Sequence, residues 1–126
     1  MPELEQPHKA DRPPIPDPVT ARAVRAFLHH IEGRYPVRDI ILFGSRARGT
    51  HTAESDADLA VVLSGSGSRD ELGDVSGEMA EIAFDVLMEA GLLVQAFPLW
   101  EEEMRNPDRF ENPALLANIL RDGVRL

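Results

Sequence analysis

Two short apolar, β-branched runs stand only about a dozen residues apart, and this spacing constrains the fold more than any other feature of the 126-residue chain. The first, Asp39-Ile-Ile-Leu-Phe43, is stopped by Gly44-Ser45; the second, Asp56-Ala-Asp-Leu-Ala-Val-Val-Leu63, follows a polar stretch from Arg46 to Ser55. Both have the composition of buried strands. The gap between them leaves room for a short helical turn but hardly for a full crossover helix. Leu92 to Leu99 supplies a third run of the same kind.

Helical spacing fills the remainder. Asp17-Pro18 reads as an N-cap followed by proline at the first helical position. Val19, Ala23, Val24, Phe27, Leu28 and Ile31 then recur at helical intervals, which predicts a helix over 18–33 ended by Gly33 and Pro36. After the Ser/Gly connection 64–68, residues Leu72, Val75, Met79, Ile82, Ala83, Val86 and Leu87 mark a long helix closed by Gly91. Short helices are expected at Glu101–Arg105 and Pro113–Arg121. The predicted order is α-β-β-α-β-α-α, an α/β (α+β) domain with a small mixed sheet of three strands backed by helices on one side. Residues 1–17, with five prolines and little apolar content, read as a disordered tail ahead of one domain over 18–126.

Composition narrows the function classes. No apolar run approaches the ~18 residues of a membrane span, and the N-terminus lacks the pattern of a secretory signal. A cytoplasmic protein is expected. The absence of cysteine excludes disulfides, thiolate nucleophiles and zinc ribbons. A net charge of −9 argues against direct DNA binding, which needs a basic face. It suits either simple solubility or a basic protein partner. Lys9 is the only lysine, so the basic charge is almost all arginine, suited to paired contacts with phosphate or carboxylate.

The chemistry lies in Gly44-Ser45-Arg46-Ala47-Arg48-Gly49, followed by Ser55-Asp56-Ala57-Asp58-Leu59. A glycine directly after a buried strand permits a tight turn where backbone approaches a ligand. Ser45 offers a hydroxyl, and a helix beginning there would aim N–H groups at an anion. Arg46 and Arg48 have the chemistry of phosphate contacts, with a solvated surface place the alternative, most of all for Arg48. Asp56 and Asp58 stand two apart on a strand, so both carboxylates leave one face, with Cα atoms about 6–7 Å apart. Carboxylates so close disfavour each other's ionisation, and a hard cation such as Mg²⁺ relieves the conflict. Phosphate at the turn and metal on the aspartates together imply in-line displacement at phosphorus.

These two half-motifs resemble the signature of polymerase-beta-type nucleotidyltransferases, and most closely the minimal nucleotidyltransferase (MNT) group. The likeness covers about residues 20–100, with its specific part at 44–62. It implies the nucleotidyltransferase fold, with Gly44 and Ser45 holding the triphosphate of a nucleotide such as ATP. Arg46 and Ser55 are further nucleotide-binding candidates, Ser55 with turn capping as its alternative. Asp56 and Asp58 are implied as the catalytic Mg²⁺ ligands, and the reaction as transfer of a nucleoside monophosphate to a hydroxyl. Active members of the family usually carry a third acid on a following strand. Here that strand has none; Gln95 falls nearest the place, with Leu93 the alternative, and a glutamine can ligate a metal but cannot take a proton. Asp85 or Glu89 of the long helix could supply the missing acid instead.

Minimal nucleotidyltransferases are often paired with a helical HEPN-type toxin. The resemblance therefore implies either adenylylation of such a partner or a non-catalytic MNT-type antitoxin that keeps the fold. An aminoglycoside-type enzyme would need more acceptor-binding structure than this chain has room for. Elsewhere, His51 is expected as an exposed loop histidine, His29 and His30 face different directions on their helix, and Tyr35, Phe97 and Trp100 read as packing.

Overall fold

The computed structural model describes residue 15, residues 17–110 and residues 112–126. The disordered tail expected over 1–17 therefore lies, apart from Ile15 and Asp17, outside the described residues. The elements run α1 (Pro18–Ile31), β1 (Val37–Phe43), α2 (Ser45–Arg48), β2 (Ala57–Leu63), α3 (Arg69–Ala90), β3 (Val94–Trp100), α4 (Glu101–Arg105), α5 (Pro113–Asp122) and β4 (Val124–Arg125), with a 3₁₀ turn over 107–109. The expected order holds, with the short turn α2 and the strand β4 added to it.

Local chemistry sets the helix boundaries. Asp17 caps α1, its carboxylate accepting from the Thr20 amide at 2.9 Å, with Pro18 just inside the first turn. At α3, Ser68 and Glu71 form a reciprocal box: the Ser68 hydroxyl accepts from the Glu71 amide at 3.2 Å, and the Glu71 carboxylate accepts from the Ser68 amide at 2.9 Å.

The sheet order is β3-β2-β1-β4. β1 is antiparallel to β2, with Leu42 opposite Leu59 and Phe43 opposite Asp58. β2 is parallel to β3, and α3 makes the crossover between them. β4 is antiparallel to β1 through Ile41 and Leu42. Two residues are too few to register as a strand in the sequence, so the expected three-stranded sheet becomes four-stranded.

Alternation along each strand divides the interior in two. Ile40, Leu42, Leu59, Val61, Leu63 and Val94 point toward α1 and α3, where they meet Val24, Phe27, Met79, Ile82 and Val86. Ile41, Phe43, Ala60, Val62 and Leu99 point the other way, against Phe110, Leu116 and Ile119. Helices on one side only, as expected, would leave this second set in water. α5 covers it instead, burying Leu116 and Ile119 to 1% exposure each. Each such side chain contributes about 1.5–3 kcal/mol, so both faces are held and the sheet cannot slip register without exposing one of them.

Candidate functional site

The C-terminal end of β1 and the N-terminal end of β2 meet at a turn with one unusual residue. Gly44 has φ 78° and ψ −161°, a conformation that side-chain-bearing residues avoid. Its missing side chain matters as much as its torsion. A Cβ on Gly44 would stand 2.5 Å from Asp58 Oδ2. The Asp58 carboxylate thus lies directly against the backbone of the turn.

α2 begins at once. The Gly44 carbonyl accepts from the amides of Ala47 and Arg48, both at 3.1 Å, and the Ser45 carbonyl from Thr50 at 3.0 Å. The Ser45 and Arg46 amides belong to the first turn, which has no preceding helical carbonyls to receive them. These donors follow directly on Gly44, the residue that Asp58 lies against.

Asp58 is the second residue of β2, and Asp56 immediately precedes the strand. Asp58 has the parity of Ala60 and Val62, so it projects from the sheet face opposite α1 and α3, and Asp56 is near enough for its charge to act on Asp58. Burial raises the proton affinity of Asp58, the charge of Asp56 raises it further, and Arg48 opposes both. The Asp58 carboxylate therefore sits where a negative charge is disfavoured. Gln95 is exposed and pairs directly with Asp58 across β2 and β3. Leu93 lies one residue before β3 and gives its carbonyl to the Ala57 amide at 2.9 Å. Gln95, not Leu93, is thus beside Asp58.

The other expected acids do not arrive. α3 packs against the opposite face of the sheet, and Glu89 is engaged there with His30 at 2.5 Å. Among the described residues, no three His, Asp or Glu side chains gather as a metal-holding group.

Arg46 takes a different place from the phosphate contact expected of it. Its side chain is 2% exposed. All five N–H donors are used inside the protein: Nε on the Ser55 carbonyl (2.7 Å), Nη1 on Asp17 Oδ2 (3.1 Å) and Thr20 Oγ1 (2.8 Å), Nη2 on the carbonyls of Thr52 (3.1 Å) and Ala53 (3.5 Å). One guanidinium thereby ties the 52–55 loop to the start of α1. Ser55 likewise serves the turn, its hydroxyl accepting from the Thr52 amide at 3.0 Å. The Arg46 guanidinium has no donor left for a ligand.

Arg48 is the arginine electrostatically coupled to Asp58, and it pairs with Asp122 at 3.1 Å while half-exposed. His51 is not an exposed loop histidine either. Its side chain is 21% exposed, with Nε2 3.7 Å from Asp17. Asp17 is held below the usual carboxylate range, first by the Thr20 hydroxyl and then by the Thr20 amide. The Asp17–Arg46 contact joins residues 29 apart, and no spacing rule signals it. Phe43 and Phe97 pack at 5.5 Å between ring centroids, on the same face as the carboxylates.

A family model described as a nucleotidyltransferase domain matches residues 24–124. This chain belongs to the nucleotidyltransferase family. A Methanocaldococcus jannaschii relative, provisionally named a protein adenylyltransferase, is 30% identical over 105 residues, covering 81% of this nucleotidyltransferase and 92% of the relative. A crystal structure of a toxin-antitoxin with AMP-PNP superposes with a TM-score of 0.54 at 17% identity, covering 82% of this chain and 68% of that one. At that identity the likeness is one of fold. A Sulfolobus solfataricus structure, provisionally named a nucleotidyltransferase, is 19% identical with a TM-score of 0.44, covering 85% of this chain and 84% of that one.

Proposed function

We propose that this nucleotidyltransferase binds ATP at the Gly44–Asp58 turn and transfers AMP to a hydroxyl on a partner protein, releasing pyrophosphate. The observation that carries the reading is the seating of the Asp58 carboxylate on Gly44, with Gln95 beside it across the sheet and the charge of Asp56 close enough to act on it. Charged phosphate and acid would repel unless a cation lay between them, and a carboxylate at Asp58 whose charge is disfavoured by burial and by Asp56 fits a divalent cation such as Mg²⁺. When bound, that ion would supply charge neutralisation to the triphosphate and to the leaving pyrophosphate.

The chain's own residues have distinct parts in this reading. Gly44 brings the backbone close to the phosphates, and the amides at the start of α2, with the Ser45 hydroxyl, grip oxygens. Asp56 and Asp58 hold the cation. Arg48, rather than Arg46, is placed to add positive charge. The acceptor oxygen attacks the α-phosphorus as the bond to the bridging oxygen of pyrophosphate breaks. Its proton goes to a carboxylate of the pair or to water, because Gln95 cannot accept it. The relative's name supports a protein acceptor, and the toxin-antitoxin neighbour with AMP-PNP supports an adenine nucleotide. The resemblance to minimal nucleotidyltransferases makes a HEPN-type toxin the natural partner.

A second reading has its own observation. Gln95 beside Asp58, without a third acid among the described residues, favours an antitoxin that binds nucleotide but transfers nothing. Calorimetric titration of ATP with Mg²⁺ tests what the two readings share: Asp56→Asn with Asp58→Asn should abolish binding, and unchanged affinity refutes both. Intact mass of a HEPN-type partner after incubation with ATP and Mg²⁺ separates them. A gain of one AMP supports transfer. An unmodified partner that becomes modified by the Gln95→Asp protein supports the second reading.

A further inference from the structure

The outer face of α3 has a surface that the fold itself does not use. At about 100° per residue, Gly73, Gly77, Ala80, Phe84 and Met88 fall within an arc of about 80°. All five are exposed, Phe84 at 58% and Met88 at 66%. The stripe is about 22 Å long at ~1.5 Å rise per residue. It presents a smooth, backbone-level half and then two large apolar side chains.

The glycines are the informative part. Glycine inside a helix weakens it relative to alanine, so it needs a reason. A Cβ at either Gly73 or Gly77 would meet nothing within 4 Å. Internal packing gives no reason, whereas close approach by another backbone does.

The flank of the stripe says what kind of backbone. Glu78 and Glu89, nearest α1, are engaged with the Tyr35 hydroxyl at 2.7 Å and with His30. Asp74, Glu81 and Asp85 lie between them and the stripe, and none has an ion pair with another described residue. A second copy of this chain would bring a like-charged flank against these acids. A partner with an apolar seam and a basic flank would neutralise them.

We propose that the Gly73–Met88 face of α3 docks an amphipathic helix of another protein, its small apolar seam flanked by arginine or lysine. This does not rest on the nucleotide reading: α3 lies on the sheet face opposite Asp58, so the docked helix leaves that face open.

The test uses the full chain and two fluorescein-labelled synthetic helices of eighteen or so residues (about five turns), with one Leu/Ala seam flanked by Arg or by Glu. Fluorescence polarisation should show the Arg-flanked helix binding at least tenfold more tightly. Glu81→Lys with Asp85→Lys should reverse that preference, and Phe84→Ser with Met88→Ser should weaken binding at least tenfold with an unchanged circular dichroism spectrum. Asp56→Asn with Asp58→Asn should bind like the unaltered chain. Equal binding of both helices, or no loss on changing Phe84 and Met88, overturns the proposal. So does a dimer in sedimentation that Phe84→Ser dissolves, which gives the face to a second copy. A tenfold gain on removing residues 1–14 also overturns it, giving the face to the chain's own N-terminal segment.

Discussion

Replacing Arg46 with methionine should unfold this protein more readily than any change at the other motif arginine. The buried guanidinium donates five hydrogen bonds, four of them to oxygens of Thr20, Thr52, Ala53 and Ser55. Hydrogen bonds to a charged group are worth about 1.5–3 kcal/mol each, and they do not add. The loop carbonyls would turn partly to water once freed, whereas the Thr20 hydroxyl, on a fully buried residue, would not. A net loss of about 3 kcal/mol follows, the low end for breaking a buried charged network. In a domain of this size each kcal/mol moves the melting midpoint by about 4 °C, so the midpoint should fall by about 12 °C. Urea titration should show the lower midpoint at an unchanged slope. Arg46→Lys should recover little, because an ammonium cannot span acceptors arranged around a planar fork. Arg48→Met, at a half-exposed site, should cost less than about 1 kcal/mol. Equal and small losses for Arg46→Met and Arg48→Met would refute the assignment of Arg46 as the tie between loop and helix.

Two further outcomes follow from the turn. Gly44→Ala should destabilise the fold by about 1–3 kcal/mol from its backbone conformation alone, and by more from the contact with Asp58; combining it with Asp58→Gly should restore part of the loss in a urea titration, and no restoration would count against the contact. In the proposed function, binding of nucleotide with divalent cation would require ionised Asp58, whose proton affinity is raised by burial and by Asp56. Affinity should therefore be complete at high pH and fall as pH drops through that raised value, above the range of an ordinary aspartate. The same shift has the opposite sign for unliganded stability: the protonated form is favoured on folding, so Asp58→Asn should stabilise the cation-free protein at neutral pH.

Much of the fold was legible because its signals are local. The period of residues 19–31 and the cap at Asp17 predicted α1 nearly to its ends, and the run 56–63 marked β2 to within one residue. That same run also held the clue that was missed. Ala57 to Leu63 is apolar at almost every position, as strands covered on both faces are, yet the expected sheet had helices on one side only. β4 was invisible because two residues have no period, and its pairing with Ile41 and Leu42 is set by where α5 ends.

The site was legible to the extent that it is a matter of parity and turn chemistry. Asp58 does lie against the turn, and Asp56 is near enough for its charge to bear on Asp58. Both arginines were read as phosphate contacts or surface residues, and the buried tie made by Arg46 was missed because sequence spacing does not distinguish a guanidinium turned inward from one turned outward. What decides between them is Thr20 and Asp17, contributed by a helix that ends well before the motif begins.

The position of Gln95 carries a consequence of its own. It stands on the outermost strand of the sheet with its side chain in water, so no packing depends on whether an amide or a carboxylate occupies it. Chemistry at that rim is separable from folding. Under the proposed function, a single exchange there would equip or disarm the neighbouring acids while the two interiors behind the sheet stay as they are.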